Sequence, residues 1–358
     1  MTRRPVLWTL LVIAMALGMA AWLARTPLLL AAAPAIAAQR LSADPVKDLP
    51  DGLHVGLCGA GSPFPDEQRA GPCTLVLAGQ RLLVVDVGAG SVRNIGRMGF
   101  SHGRIDAVLL THFHSDHIDG LGELMLQRWV AGARTEPLPV HGPPGIEQVV
   151  GGLMQAYAQD RHYRVAHHGA ATVPPTGFGG LPRAFTLGPE GRVVVLREDD
   201  LEVVAFAVDH APVHPAVGYR IAYKGRVVVI SGDTKASTAV RREARGADLL
   251  VHEALSPALV AALREGARRT GRTHLVKIFD DIPDYHATPR QAAETARDAG
   301  ARYLLLNHIV PALPLPGLEQ AFLGGADDIF TGPLKVGRDG DFISMPAGST
   351  AIQATRRF

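Results

Sequence analysis

Two cysteines in 358 residues are too few for a disulfide scaffold, and they lack zinc-finger spacing, so neither explains the fold. Excess charge is also scarce. Lys plus Arg number 36 against 34 Asp plus Glu, a net charge of +2, which excludes the polybasic signature of a general nucleic-acid binder. The first forty residues contain no acid at all. They hold Arg3, Arg4, Arg25 and Arg40, so the remainder is slightly acidic. No short-period repeat is present, and no low-complexity tract beyond the Ala-rich leader, which excludes a solenoid. Apolar residues are plentiful: at 47% they suffice for a large core and exclude disorder as the main state. Fifteen histidines are many for this length, and histidine is the commonest metal ligand.

Between Arg4 and Arg25 lies an uncharged stretch, residues 5–24, which as a helix rising about 1.5 Å per residue spans about 30 Å, the thickness of a bilayer core. Arg3 and Arg4 ahead of it hold the N-terminus in the cytoplasm and send the body across. Residues 1–40 are therefore expected to be a signal peptide or a membrane anchor. Ala35-Ile36-Ala37 offers a small-x-small cleavage site, and both outcomes stay open. The polar, Pro-containing residues 41–52 read as a linker, 53–348 as the folded domain and 349–358 as a C-terminal tail. The body is expected to be exported, periplasmic or otherwise extracytoplasmic, and tethered to the inner membrane through 5–24 if the leader is retained.

Within the body, β-rich runs at 53–58, 74–78 and 81–87 give way to alternating strands (105–110, 138–141) and helices (121–129, 145–157), followed by an irregular segment over 158–191. A second series repeats the order. Strands are expected at 192–196, 201–207, 217–223 and 226–230, then helices at 237–244, 257–269 and 289–299 around strands 248–252 and 303–306. Two runs of strands, each followed by helices, predict two sheets packed face to face with helices outside, a four-layer αββα sandwich.

The strongest local signal is Thr111-His112-Phe113-His114-Ser115-Asp116-His117, a loop at the C-terminal end of an apolar strand. Histidines at i and i+2 present imidazoles on one side of an extended segment, and Asp116 and His117 turn toward a neighbouring position, a spacing that suits two metals.

This segment resembles the His-x-His-x-Asp-His signature of the metallo-β-lactamase superfamily, whose dinuclear metal site lies between two β-sheets. The resemblance extends over about 53–348. Asp86, after an early strand, matches the aspartate that supports the metal loop. His210 matches the next metal histidine, with His214 as its rival; Asp233 in Ser231-Gly232-Asp233-Thr234 matches the aspartate that bridges both metals; His308 matches the last ligand. The resemblance thus implies His112, His114, His210 and Asp233 around one divalent ion, and Asp116, His117, Asp233 and His308 around the other. Zinc is expected, with manganese or iron as alternatives.

The zinc β-lactamases carry a different residue where this chain has Asp233, which disfavours an antibiotic hydrolase. No flavodoxin-like extension is present, which disfavours redox relatives. The ribonuclease Z and phosphodiesterase branch fits best, because Gly59-Ala60-Gly61-Ser62-Pro63, His141-Gly142-Pro143-Pro144-Gly145, His252-Glu253-Ala254 and His286-Ala287-Thr288-Pro289 agree with it. In that group the counterpart of His286 assists at phosphate and that of Glu253 orients it; with Asp116 they form the expected catalytic set. His141 is expected to brace the loop beside the site, and His167 and His168 to lie on the surface.

Ribonuclease Z itself matures tRNA in the cytoplasm with a protruding arm. Given an exported, slightly acidic body, tRNA is not expected as the partner; small-molecule or oligonucleotide phosphodiesters or esters are. The expected function is hydrolysis of phosphodiester bonds by a metal-activated water. Ester, lactone or aryl sulfate hydrolysis on the same fold is the rival, and a non-catalytic metal-binding protein the rival of another class. Cys58 and Cys73 flank the Gly59 loop and are either bridged or free; a bridge closing about 15 residues would add roughly 3 kcal/mol.

Overall fold

The computed structural model describes residues 4–358, which divide into two units at Pro45/Val46. The first is a helix, Arg4–Ser42, with Pro27 and Pro34 inside it. Within its stretch Leu7–Ser42 an 18-residue window has a mean hydropathy of 2.1 and no buried share, so by length and composition the helix can cross a membrane. The helix outruns the expected 5–24 and takes in the 35–37 tripeptide, because the Leu- and Ala-rich sequence after Thr26 continues to favour helix.

The second unit contains fifteen strands: β1 Gly52–Gly59, β2 Cys73–Ala78, β3 Arg81–Val85, β4 Ala107–Leu109, β5 Leu138–Gly142, β6 Gly180–Ala184, β7 Arg192–Glu198, β8 Leu201–Ala207, β9 Val217–Tyr223, β10 Arg226–Ile230, β11 Leu249–Leu255, β12 Leu304–Val310, β13 Leu334–Val336, β14 Asp341–Pro346 and β15 Gln353–Arg356. Their orders are β15-β14-β1-β2-β3-β4-β5-β6 and β13-β12-β11-β10-β9-β8-β7. The inner faces share one apolar core, with Leu53, Val76 and Leu83 of the first sheet meeting Val203, Tyr219 and Val251 of the second. On the outer faces, Val84 and Val108 pack with Leu124 and Val150 of helices Leu121–Gly132 and Ile146–Ala156. Val229 and Leu304 pack with Val240 and Ala296 of helices Thr238–Glu243 and Pro289–Ala299. The expected αββα sandwich is therefore the fold.

Several local expectations change. The segment 158–191, expected to be irregular, contains the helix Ala158–His168 and strand β6; the helix buries no side chain and so shows no apolar stripe. The expected tail contributes β15, which pairs antiparallel with β14 at the sheet edge. Cys58 and Cys73 are bridged, joining adjacent strands β1 and β2. At the site end the sheets are tied together directly: the Tyr219 hydroxyl donates to the Leu110 carbonyl at 2.7 Å, and the Val217 amide to that of Thr111 at 3.0 Å.

Candidate metal centre

Backbone devices at strand ends aim the side chains. Asp86 follows β3 in the left-handed region (φ 57°), where aspartate is tolerated better than most residues. Gly88 lets the chain pass beneath the histidine loop: a Cβ there would lie 2.3 Å from the Asp116 carbonyl oxygen. Gly232, at φ +60° after β10, turns Asp233 off its strand. In β12 the register against β11 steps from Glu253↔Asn307 to Ala254↔Ile309, so His308 is the extra residue of a bulge, with φ 46°. Bulges beside functional sites redirect a side chain out of the strand's alternation, and this one carries an expected ligand.

The aimed groups converge. Asp233 Oδ2 lies 3.2 Å from His308 Nε2, 3.3 Å from His117 Nε2, 3.8 Å from His112 Nε2 and 3.9 Å from His210 Nε2. Asp116 Oδ2 is 3.2 Å from His308 Nε2 and 3.5 Å from His117 Nε2. Ligand atoms of His112, His114, His210 and Asp233 form one group within mutual reach, and those of Asp116, His117 and His308 a second. His286 joins Asp233 and His308 in a third. All seven expected ligands are thus brought together, with His210 in the cluster and its rival His214 exposed outside it.

The surrounding hydrogen bonds fix which nitrogens face inward. Asp86 accepts from the Thr111 amide and hydroxyl, both at 2.8 Å, and from His117 Nδ1 at 2.8 Å. Because the Thr111 hydroxyl proton is committed to Asp86, its oxygen accepts from His112 Nδ1 at 3.0 Å. His210 Nδ1 donates to the Tyr285 carbonyl at 2.9 Å. His112 and His210 therefore turn Nε2 as a lone pair into the cluster, and His117, its Nδ1 committed to Asp86, turns Nε2 toward Asp233. Lone pairs and carboxylates aimed at one another repel unless positive charge lies between them.

The electrostatics agree. Burial, reinforced by neighbouring imidazoles, pushes the pKa of His112 well below the usual value, and burial also lowers those of His114 and His210. Neutral imidazole is the ligating form. Burial opposes charge on Asp233, yet His308 and His117 hold its pKa well below the carboxylate range. Burial likewise opposes charge on His117, but Asp233 and Asp86 raise its pKa well above the ordinary one, so the site draws positive charge. Asp233 Oδ1 and His117 Nε2 are buried without a hydrogen-bond partner among the described residues. A site of five imidazoles and two carboxylates with unpartnered atoms fits divalent cations.

Glu253 lies beside this cluster, 2% exposed. Its Oε1 accepts from His286 Nδ1 at 3.2 Å, the Ala287 amide at 2.9 Å and the Thr234 amide at 3.2 Å, tying the Asp233 turn to the His286 loop. Burial works against the charged form of His286, but Glu253 raises its pKa above the ordinary value. The helix after it is capped by Thr288 in a capping box with Gln291, so His286 is not spent as a cap. His141 sits half-buried in β5, its carbonyl accepting from the Leu110 amide, and His167 and His168 are exposed.

Sequence reading missed Thr111, which relays between Asp86 and His112, and Tyr285, whose ring packs 5.0 Å from His210 and 4.8 Å from His286. It also missed Asp339, whose carboxylate accepts from the Ala60 amide at 3.0 Å, the Ala70 amide at 2.8 Å and Asn94 Nδ2 at 2.7 Å. Ala60 in turn accepts from the Ile309 amide next to His308.

Residues 98–309 match the family model of the beta-lactamase superfamily domain. A ribonuclease Z of Mycolicibacterium gilvum is 39% identical over 304 residues, covering 84% of this chain and 99% of that protein. A ribonuclease Z of Mycobacterium bovis is 38% identical, covering 80% and 96%. Among solved structures, the short form of human tRNase Z superposes with a TM-score of 0.56 at 21% identity, covering 82% of this chain and 99% of that one. The metallo-beta-lactamase fold protein YhfI of Bacillus subtilis gives 0.58 at 21%, covering 82% and 100%. The exclusion of tRNA as a partner is overturned by these relatives: it rested on whole-body charge and the leader, whereas the curated sequences most of this chain aligns with are named for ribonuclease Z activity. Fold, cluster and relatives together make this chain a member of the metallo-β-lactamase superfamily, in its ribonuclease Z family, and a metal-dependent hydrolase.

Proposed function

We propose that the chain hydrolyses phosphodiester bonds in RNA, tRNA precursors included, with a pair of divalent ions, zinc first among them. The observation that carries this reading is the approach of four imidazole nitrogens from both sheets to Asp233 Oδ2, each within 4 Å. His112, His114, His210 and Asp233 would hold one ion, and Asp116, His117, Asp233 and His308 the other. Ions held there supply Lewis acidity and a nucleophilic water near neutral pH.

The chain's own residues supply the rest. Asp116, with Oδ2 beside His308, takes up the proton of the attacking water. His286, kept protonated by Glu253 on Nδ1, donates from its other nitrogen to the departing oxygen. Glu253 also fixes the Asp233 turn through the Thr234 amide, so the acid and the cluster are positioned by one carboxylate.

A purified preparation should turn over bis(p-nitrophenyl) phosphate and an unprocessed tRNA transcript in preference to an aryl sulfate, a lactone or a cephalosporin. His286→Ala should lower turnover by about a hundredfold or more and leave bound metal unchanged. Turnover confined to the lactone would sink the substrate class. Loss of metal from His286→Ala would make it a ligand and not an acid.

Residues 1–40 are read as a signal or anchor and 53–348 as an exported body. The apolar Leu7–Ser42 stretch supports this, as does the Cys58–Cys73 bridge, since disulfides persist in oxidising compartments. Protease added to intact spheroplasts should then digest the body; full protection until lysis would return it to the cytoplasm.

A further inference from the structure

The three segments that carry His210, Asp233 and His286 each continue into a second feature, a cleft of about 520 Å³. Pro212 and Lys235 lie two residues after His210 and Asp233, and Tyr285 precedes His286; Lys277, Asp281 and Asp284 are also in its wall. Lys277 and Asp281 pair with one another. That leaves Lys235 and Asp284 as the lining charges without an ion-pair partner among the described residues. The Tyr285 ring is half-buried: it packs against His210, His286 and the apolar cluster around Ile282, lines the cleft with the surface that remains, and its hydroxyl has no hydrogen-bond partner among the described residues.

An aromatic face, an unpaired ammonium and an unpaired carboxylate in a pocket of this size match the three chemistries of a nucleotide. The base offers a π surface and N–H donors, and the phosphate a negative charge. A purely polyanionic occupant is disfavoured by Asp281 and Asp284, and a purely apolar one by Lys235. We propose that this cleft binds the nucleotide adjoining the scissile bond, its base stacked on Tyr285 with an N–H donated to Asp284 and its phosphate on Lys235. The proposal rests on the phosphodiesterase reading and names how one side of that substrate is held.

Calorimetry on the full chain in non-ionic detergent, with AMP and ribose 5-phosphate as probes, tests it apart from turnover. AMP should bind about tenfold more tightly, because only it carries a base to stack. Tyr285→Phe should keep that ratio, and Tyr285→Leu, which retains bulk without a π face, should collapse it toward one. Lys235→Met should weaken both probes by roughly fivefold and leave their ratio intact. Equal affinities in the parent chain, an unchanged ratio in Tyr285→Leu, or unchanged affinities in Lys235→Met would overturn the assignment. Hydrolysis of bis(p-nitrophenyl) phosphate by the same preparations separates the two readings. Turnover without AMP preference removes the subsite alone, and AMP preference without turnover removes the phosphodiesterase alone.

Discussion

Asp233→Ala should abolish turnover, by about a thousandfold or more, and release bound metal, as measured by elemental analysis beside kcat. The expectation follows from charge. Asp233 is buried and ionised, and Oδ2 is the atom that four imidazoles face, at 3.2 to 3.9 Å. Without it, the imidazoles remain around a space that has lost its central anion, and divalent ions held there would lose the carboxylate that, in the proposed assignment, serves both of them. Asp233→Asn keeps the shape and one oxygen, so it should retain more metal than alanine while staying strongly impaired. Full metal content with an unimpaired rate in Asp233→Ala would show that this carboxylate does not hold the ions.

The second large effect concerns stability. Burial pushes the Asp339 carboxyl up to about 6 from 3.8, outweighing the three N–H groups that favour its charged form. Between those values the folded chain holds a proton that the unfolded chain has released. The stability tied to that proton is complete below about pH 4 and is lost as pH rises through about 6, a change of about 3 kcal/mol for a shift of two units. Asp339→Asn cannot titrate. The parent chain should therefore lose about 2.5 kcal/mol relative to Asp339→Asn between pH 4 and pH 7, by urea unfolding of both proteins with chelator present to remove metal linkage. A difference that stays constant over that range would mean the carboxyl ionises alike in both states.

Much of the candidate site was legible because the side chains that cluster there belong to short motifs at strand ends: 111–117 after β4, 231–234 after β10 and 286–289 before a capped helix. The helices Pro257–Arg269 and Pro289–Ala299 and strands β8, β9 and β10 begin and end where their patterns predict. Illegible features have physical causes. Helix Ala158–His168 buries nothing, so no periodicity marks it. The bulge at His308 depends on pairing with β11, which a single strand's pattern does not contain. Asp339 works on Ala60 across 279 positions of sequence, and no local spacing signals that bond. The tRNA exclusion failed for a related reason, since net charge averages over a surface and says nothing about what a particular cleft accepts.

The ligand arrangement also affects how the molecule comes apart. His112, His114, Asp116 and His117 follow β4 in one sheet, while His210, Asp233 and His308 belong to the other. Cations bound among them would act as rivets across the sandwich, so neither half could peel away before the rivets are surrendered. The unfolding temperature then becomes a gauge of free metal in the surrounding medium, climbing with the logarithm of its concentration once the sites are filled.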